Sequence, residues 1–277
     1  MNPIIYVSSD LRNAYNSSSF WGKIRDRLSI GVEDQVLIKE LNLKLTKVKV
    51  PPNFNQRAYA RNMDLVKNRF KGNFQLAPRT FRKYDYLFYN NFQKELLGYS
   101  VAKSIQLLLR VRNKSIKDSC IVVYDASDDI NKNILSELAK RCKYMILLSD
   151  NILKASKISD YIIASYGISP IVTNDKEYSF LSADFIISSR EINWRGDEKE
   201  INKYIWFLDN TIKEVNNSDF IVNDVSFSLP WNSEEIDGGL EIVGAVLSQM
   251  SEKDVEQALK YNGIFLDKIK YNDLVKE

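Results

Sequence analysis

Apolar runs of strand length alternate with amphipathic helical stretches through the second half of the chain. Cys120–Tyr124 and Tyr144–Leu148 are apolar throughout, which is typical of strands buried on both faces. Residues 130–142 and Ile152–Tyr166 carry apolar residues at helical spacing, and Gly167 follows at a position where helices commonly end. Strands and helices in alternation, with short connections, predict a parallel sheet with helices on both faces.

Weaker patterns complete the prediction for this half. They are a short strand at 171–172, a helical turn at 177–181, strands at 184–188, 204–208 and 220–229, and helices at 239–250 and 251–261. Ser251 is the predicted N-cap of the last helix, because a hydroxyl followed by acidic residues suits a helix start.

The first half mixes the two periodicities. The pattern predicts a strand at 4–7, an amphipathic helix at 20–28, one or two half-buried strands at 35–50, a helix at 56–69, a break at 76–79 and one long helix or a close pair at 84–111, with Gly98 as its weak point.

These elements predict an α/β protein with a parallel Rossmann-like sheet, helices on both of its faces, and a smaller α/β domain before it. The domains are expected at residues 1–112 (basic N-terminal α/β domain) and 117–230 (Rossmann-like domain). Residues 231–277 are expected to form C-terminal helices that pack back on both.

Charge is distributed unevenly between the halves. Residues 1–118 contain 22 Lys and Arg against 9 Asp and Glu, a net +13, and the remainder carries 17 against 27, a net −10. Either the halves complement each other, within the chain or in a homodimer, or the basic half faces an anion.

The residue types present exclude several kinds of chemistry. The chain contains no histidine, which removes the commonest general base and the commonest transition-metal ligand. Cys120 and Cys142 are too few for a disulfide framework or a zinc site, and we interpret both as small core residues. We therefore predict no metal.

Nothing in the sequence indicates export or a membrane. The N-terminus lacks the pattern of a signal peptide, and no apolar run approaches the roughly 20 residues that span a bilayer. We expect a cytoplasmic protein without a membrane partner.

Four segments carry a resemblance to a known family. They are 120–130, 135–139, 144–150 and 183–189, and they resemble the NAD(P)-binding domain of the shikimate dehydrogenase and glutamyl-tRNA reductase group in order and spacing. In that group a Gly-Ala-Gly-x-x-Gly turn follows the first strand, and an Ala-Asp-(apolar)₃-Ser strand follows the third helix. The resemblance covers about half of the chain and implies a dehydrogenase-like architecture.

The glycines of that motif are missing. Aligned on Ala126, their positions fall on Asp125, Ser127 and Ile130. Two carboxylates about 4 Å apart repel by on the order of 4 kcal/mol at an effective dielectric of about 20, whereas a helix N-terminus stabilises an anion by about 1 kcal/mol. The acidic turn at 125–129 should therefore repel a pyrophosphate and fill its subsite from within the protein.

The group's catalytic equipment has no match either. No cysteine precedes Cys120 to act as the reductase nucleophile, and no N-terminal lysine and aspartate stand in a recognisable dehydrogenase setting. Catalytic residues are thus unknown. The degenerate cofactor site that the resemblance implies consists of Asp125, Ala126, Ser127, Asp128, Asp150 and Ser188.

Basic side chains are concentrated between residues 57 and 83, with aromatic residues among them. Arg57, Arg61, Arg69, Arg79 and Arg82 are candidate anion-binding residues. The alternative is a solvated basic face whose aromatics turn into the core. Neither a helix-turn-helix nor another nucleic-acid motif accompanies them, so an anionic small molecule or an acidic protein is preferred as partner over nucleic acid.

Three functions remain open from the sequence. The preferred one is a dehydrogenase-like protein with a degenerate dinucleotide site and a non-catalytic binding or regulatory role. The others are an active NAD(P)-dependent oxidoreductase with an atypical cofactor site, and an anion- or nucleic-acid-binding protein. No cofactor is predicted for the first, and NAD(P) for the second.

Overall fold

The computed structural model describes residues 1–190, 192, 204–208, 220–231 and 238–271. The strands are β1 (Ile4–Ser8), β2 (Gly31–Ile38), β3 (Leu43–Lys49), β4 (Gln75–Arg79), β5 (Cys120–Tyr124), β6 (Tyr144–Leu148), β7 (Ile171–Thr173), β8 (Phe185–Ser188), β9 (Tyr204–Phe207), β10 (Phe220–Ser228) and β11 (Phe265–Tyr271). The α-helices are α1 (Phe20–Ser29), α2 (Gln56–Arg69), α3 (Arg82–Asp85), α4 (Asn91–Val111), α5 (Asn131–Ala139), α6 (Ile152–Tyr166), α7 (Lys176–Ser182), α8 (Leu240–Leu247) and α9 (Val255–Tyr261).

The chain divides into two compact units. Unit 1 comprises residues 1–94 and 226–267, and unit 2 comprises residues 95–225 and 268–277. The domain limits expected from the sequence, 1–112, 117–230 and 231–277, remain predictions.

Unit 1 is built on a four-stranded sheet of order β2-β3-β1-β4. β1 runs parallel to β3 and β4, and β2 pairs antiparallel with β3. The core on this sheet includes Val7 from β1, Val48 from β3, and Tyr59 and Met63 from α2. α8 is buried along its whole length and packs on β4 and β1.

The second sheet has seven strands in the order β11-β10-β9-β8-β5-β6-β7, and most of its residues belong to unit 2. The pairs from β10 to β7 are parallel. Its core includes Val122, Ile146, Ile186 and Ile205 from four adjacent strands. This arrangement confirms the predicted fold class.

Several elements differ from the sequence prediction. Residues 76–79 form strand β4 rather than a break, because β4 lies at the sheet edge, where a proline such as Pro78 is tolerated. Residues 82–111 form a helix pair, α3 and α4, which is one of the two predicted alternatives, but α4 continues through the predicted weak point Gly98. The N-cap of α9 is Asp254, whose side chain accepts from Gln257 N, and not Ser251. Strand β11 was not predicted.

Candidate functional site

The turns that follow β5, β6 and β8 meet at one edge of the sheet of unit 2, because these three strands are parallel neighbours. Asp125 begins the turn after β5 with φ of +59°, in the left-handed region that glycine usually occupies and that aspartate tolerates. Its carbonyl oxygen accepts from Asn131 Nδ2 at 2.8 Å. The first glycine position of the expected motif thus keeps a glycine-like backbone while it carries a carboxylate.

An arginine that follows β8 binds this carboxylate. Arg190 Nε donates to Asp125 Oδ2 at 2.8 Å, and Arg190 Nη2 donates to the same oxygen. Arg190 Nη1 also lies 3.6 Å from Asp150 Oδ2, at the end of β6. One guanidinium therefore joins acidic residues from two turns. The Asp125 side chain is buried, whereas that of Arg190 is 42% exposed.

The electrostatics of this pair reflect its partial burial. Burial raises the pKa of the Asp125 carboxyl, although the hydrogen bonds from Arg190 oppose that rise. The same hydrogen bonds raise the pKa of Arg190. The charged form of the Asp125 carboxyl therefore depends on the hydrogen bonds from Arg190 for its stabilisation.

Hydroxyl groups complete the network around the turn. Ser149 Oγ donates to Ser127 Oγ at 2.9 Å, and Ser189 Oγ donates to Asp128 Oδ2 at 2.9 Å. Ser188 Oγ donates to the carbonyl oxygen of Arg190. Ala126 is fully buried, and its backbone N–H donates to Leu148 O at 3.1 Å.

All six predicted residues of the degenerate cofactor site lie at this one edge of the sheet. Arg190, Ser149 and Ser189, which were not among the predicted residues, hold these residues in place. The available signal was positional: each follows a strand of the predicted parallel sheet, and the carboxyl ends of neighbouring parallel strands meet at one edge.

A cavity of about 250 Å³ lies beside the turn, between α5 and α6. Its charged lining consists of Lys132, Lys154 and Lys157 together with the acidic Asp128 and Asp129, and its apolar wall includes Leu135 and Ile158. Lys154 Nζ is 2.9 Å from Asp129 Oδ1. Within the described parts of the chain, Lys132 and Lys157 have no carboxylate within ion-pair distance.

The candidate anion-binding arginines of unit 1 mostly contact other groups of the protein. Arg61 Nη2 lies 3.7 Å from Asp26 Oδ2, and Arg69 Nη1 donates to Ile30 O at 2.8 Å. Arg79 Nε lies 4.0 Å from Glu241 Oε2, and Arg82 is buried, whereas Arg57 is exposed. An anion site at these residues stays a prediction.

The aromatic residues among these arginines belong to the core of unit 1. Tyr59 and Phe81 are 1% exposed, and Phe70 and Phe74 pack against the same cluster. Tyr59 and Phe81 are therefore not available as a stacking surface for bases, whereas Phe70 and Phe74 are half-buried.

Unit 1 also holds buried carboxyl groups, each with partners inside the unit. Asp85 accepts from Thr80 N at 2.7 Å, from Thr80 Oγ1 at 2.8 Å and from the Tyr59 hydroxyl. Burial raises the pKa of Asp85 and raises that of Tyr59 well above its usual range. Because its donors occupy both carboxylate oxygens, this cluster ties the end of β4 to α2 and α3.

The described residues contain no group of three or more acidic, cysteine or histidine side chains that could hold a metal ion. None of their helices is long and apolar enough to cross a membrane.

Comparison with known proteins gives a remote likeness to dehydrogenases. No family model and no curated protein matches the chain. Among solved structures, L-tryptophan dehydrogenase from Nostoc punctiforme is 10% identical, with 94% of this chain and 76% of that chain covered and a TM-score of 0.37. A shikimate 5-dehydrogenase-like protein is 12% identical, with 94% and 96% covered and a TM-score of 0.37. Similarity at this level assigns neither an activity nor a ligand to this chain.

Proposed function

We propose that this chain is a dehydrogenase-like protein that acts by binding and has no NAD(P) at the usual dinucleotide position. The observation that supports this is the ion pair between Arg190 and Asp125. A dinucleotide-binding turn brings backbone N–H groups close to a pyrophosphate and requires a glycine where Asp125 stands. Here the protein supplies both the anion and its cation, so the residues present do not fit a pyrophosphate.

Energetics favour the internal pair over an incoming dinucleotide. A bound pyrophosphate would have to displace Arg190 and would leave the buried Asp125 carboxylate beside a second anion. Like charges about 4 Å apart repel by on the order of 4 kcal/mol at an effective dielectric of about 20. The stabilisation of an anion by a helix N-terminus, about 1 kcal/mol, does not offset this.

Thermal unfolding of the purified protein with NAD, NADH, NADP and NADPH tests the proposal. A dinucleotide at about 100 times its dissociation constant would stabilise the fold by about 2.7 kcal/mol. We expect no change in melting temperature with any of the four. A clear rise with one of them contradicts the proposal.

The same experiment distinguishes the alternative, an active oxidoreductase with an atypical cofactor site. If a dinucleotide raises the melting temperature of the wild type but not of Arg190→Ala, the cofactor contacts the arginine at this edge of the sheet. If both proteins respond equally, the cofactor binds elsewhere.

The cavity between α5 and α6 supports a small organic anion as the ligand of the binding role. Asp128 and Asp129 of the acidic turn also line the cavity, but Asp128 accepts from Ser189 and Asp129 pairs with Lys154. Lys132 and Lys157 offer further positive charge beside the apolar surface of Leu135 and Ile158, which suits a carboxylate with an apolar body. Benzoate is a suitable probe. Titration followed by NMR should show binding to the wild type that weakens in Lys157→Met and persists in Lys143→Met, which removes an exposed lysine outside the cavity.

A further inference from the structure

Helix α1 presents its apolar face to solvent and its polar face to the core. Gly22 and Asp26 are its buried residues. Phe20, Trp21, Ile24 and Leu28 are exposed by 67%, 77%, 38% and 81%. At about 100° of rotation per residue these four lie on the side opposite Gly22 and Asp26. We call them the α1 stripe.

The orientation of α1 is fixed by its polar face. Asp26 accepts from Asn53 Nδ2 at 2.9 Å, from Asn62 Nδ2 at 3.2 Å and from the Tyr15 hydroxyl. A Cβ on Gly22 would come within 2.6 Å of Ser17 Oγ, so this face is in close contact with the preceding loop. A rotation that turned the stripe toward the core would take the Asp26 carboxylate away from its three donors. These hydrogen bonds therefore hold the helix in the observed orientation.

The size and spacing of the stripe are those of a contact surface. Trp21, Ile24 and Leu28 have the i, i+3, i+7 spacing with which a helix enters an apolar groove. Together with Phe20 they leave on the order of 500 Å² of apolar surface in water, a size at which a patch on a monomer is often functional. A stable interface buries about 800 Å² on each partner, with an apolar centre and a polar rim.

The rim of the stripe is cationic. Lys23, Arg25 and Arg27 flank it, and the helix has no acidic residue other than the buried Asp26. Two stripes facing each other would bring these cations together, and like-charge contacts of that kind oppose association. The occupant must therefore combine apolar contacts with negative charge.

We propose that the α1 stripe docks on the acidic second half of another copy of this chain. Residues 1–118 carry a net +13 and residues 119–277 a net −10, so each copy offers the complement of the other. A nucleic acid would stack on the Phe20 and Trp21 rings but would leave Ile24 and Leu28 in water, which favours a protein surface as the occupant.

Sedimentation velocity of the full chain across the micromolar range tests this proposal. We expect concentration-dependent association that weakens with added salt, because salt screens the charges of the rim. Trp21→Asp should raise the dissociation constant by about a hundredfold, as loss of a central aromatic anchor does. Lys23→Glu combined with Arg27→Glu should weaken association as well.

Leu87→Asp is the matched control for Trp21→Asp. Leu87 is another large apolar residue of the basic half, with 61% of its surface exposed, but it lies outside the stripe. It should leave association unchanged. Equal melting temperatures of Trp21→Asp and wild type show that the exposed substitution leaves the fold intact. Association that Trp21→Asp does not weaken overturns the proposal.

The other occupants are distinguished in the same series. A wild type that stays monomeric throughout the range overturns the proposal. So does a monomer that binds vesicles of phosphatidylserine and phosphatidylcholine, or an oligonucleotide, in a manner that Trp21→Asp abolishes. None of these results bears on dinucleotide binding, so failure of this inference is separate from failure of the proposed function.

Discussion

Gly98 in α4 lies directly against the backbone of Asn133 in α5, where an added Cβ would come within 2.6 Å of the Asn133 carbonyl oxygen. A backbone atom cannot move aside as the end of a flexible side chain can. The glycine therefore serves the close approach of two helices in unit 2.

Because of this contact, we expect Gly98→Ala to lower the stability of the protein, although replacing glycine by alanine in a helix usually raises it. Alanine in place of glycine normally stabilises a helix by about 1 kcal/mol. Here the collision should destabilise the protein by about 1 to 3 kcal/mol instead. Urea unfolding followed by circular dichroism measures the difference, and an increase in the free energy of unfolding would contradict the packing described.

Removal of the Asp26 carboxylate should be among the most destabilising single changes. Asp26→Ala removes the buried acceptor of the Asn62 amide and one of the two acceptors of the Asn53 amide, which keeps its bond to Ser17 O. Each buried donor left without an acceptor costs about 1 to 3 kcal/mol, so with the Tyr15 hydroxyl included the loss should be about 3 to 5 kcal/mol. The matched control is Asp64→Ala, at an exposed aspartate of α2, which should change the free energy of unfolding by less than about 0.5 kcal/mol.

If Asp26→Ala does not fold, Asp26→Asn provides the measurement. It keeps an acceptor oxygen but loses the charge, so a loss of stability of intermediate size is expected in chemical denaturation. A value equal to that of Asp64→Ala would refute the structural role of the carboxylate.

The buried thiol of Cys142 should make the protein less stable at alkaline pH. Burial raises the pKa of its thiol from 9.0 to about 12. Between these values the unfolded chain releases the proton and the folded chain keeps it, so stability falls as the pH rises through this window. At pH 10 the loss is about 1 kcal/mol.

The comparison protein for this measurement is Cys142→Ala, which lacks the titrating thiol. Between pH 8 and pH 10, the free energy of unfolding of Cys142→Ala should fall by about 1 kcal/mol less than that of the wild type. Parallel profiles for the two proteins would show that the thiol is not buried as described.

Helix α9 allows a direct comparison of a predicted cap with the observed one. Asp254 accepts from the Gln257 backbone N–H at 2.9 Å, and Asp254→Ala should cost about 1 kcal/mol. Ser251→Ala should have almost no effect, because Ser251 lies outside the helix. Thermal unfolding of the two variants decides between the two positions, and the reverse order would restore Ser251 as the cap.

The alternation of apolar runs and helices predicted most of the fold, because parallel strands buried on both faces leave a strong pattern. Strand β11 was missed since much of it is exposed and lacks a consistent apolar face. The strand β4 was predicted as a break because it contains Pro78. Proline argues against a strand unless the strand is known to lie at the edge of a sheet, as β4 does.

The site residues show a similar division. The family resemblance predicted that Asp125, Asp150 and Ser188 belong to one site, and they lie at one edge of the sheet because the carboxyl ends of parallel strands meet there. Arg190 follows the same strand as Ser188, so its position could have been predicted in the same way, but no local pattern indicates that its side chain pairs with Asp125 across 65 positions of the chain. The pattern of α1 gave its amphipathic character but not its direction, since a helical period does not tell which side faces the core.

The left-handed backbone at Asp125 restricts what other sequences with this arrangement can contain. At φ of +59°, an L-residue with a bulky or β-branched side chain is strained, so glycine, asparagine or aspartate is required. Only aspartate among them can also pair with Arg190. A search for other members of this type should therefore look for an aspartate directly after the first strand of the parallel sheet together with an arginine two residues beyond the fourth, rather than for the glycine triad.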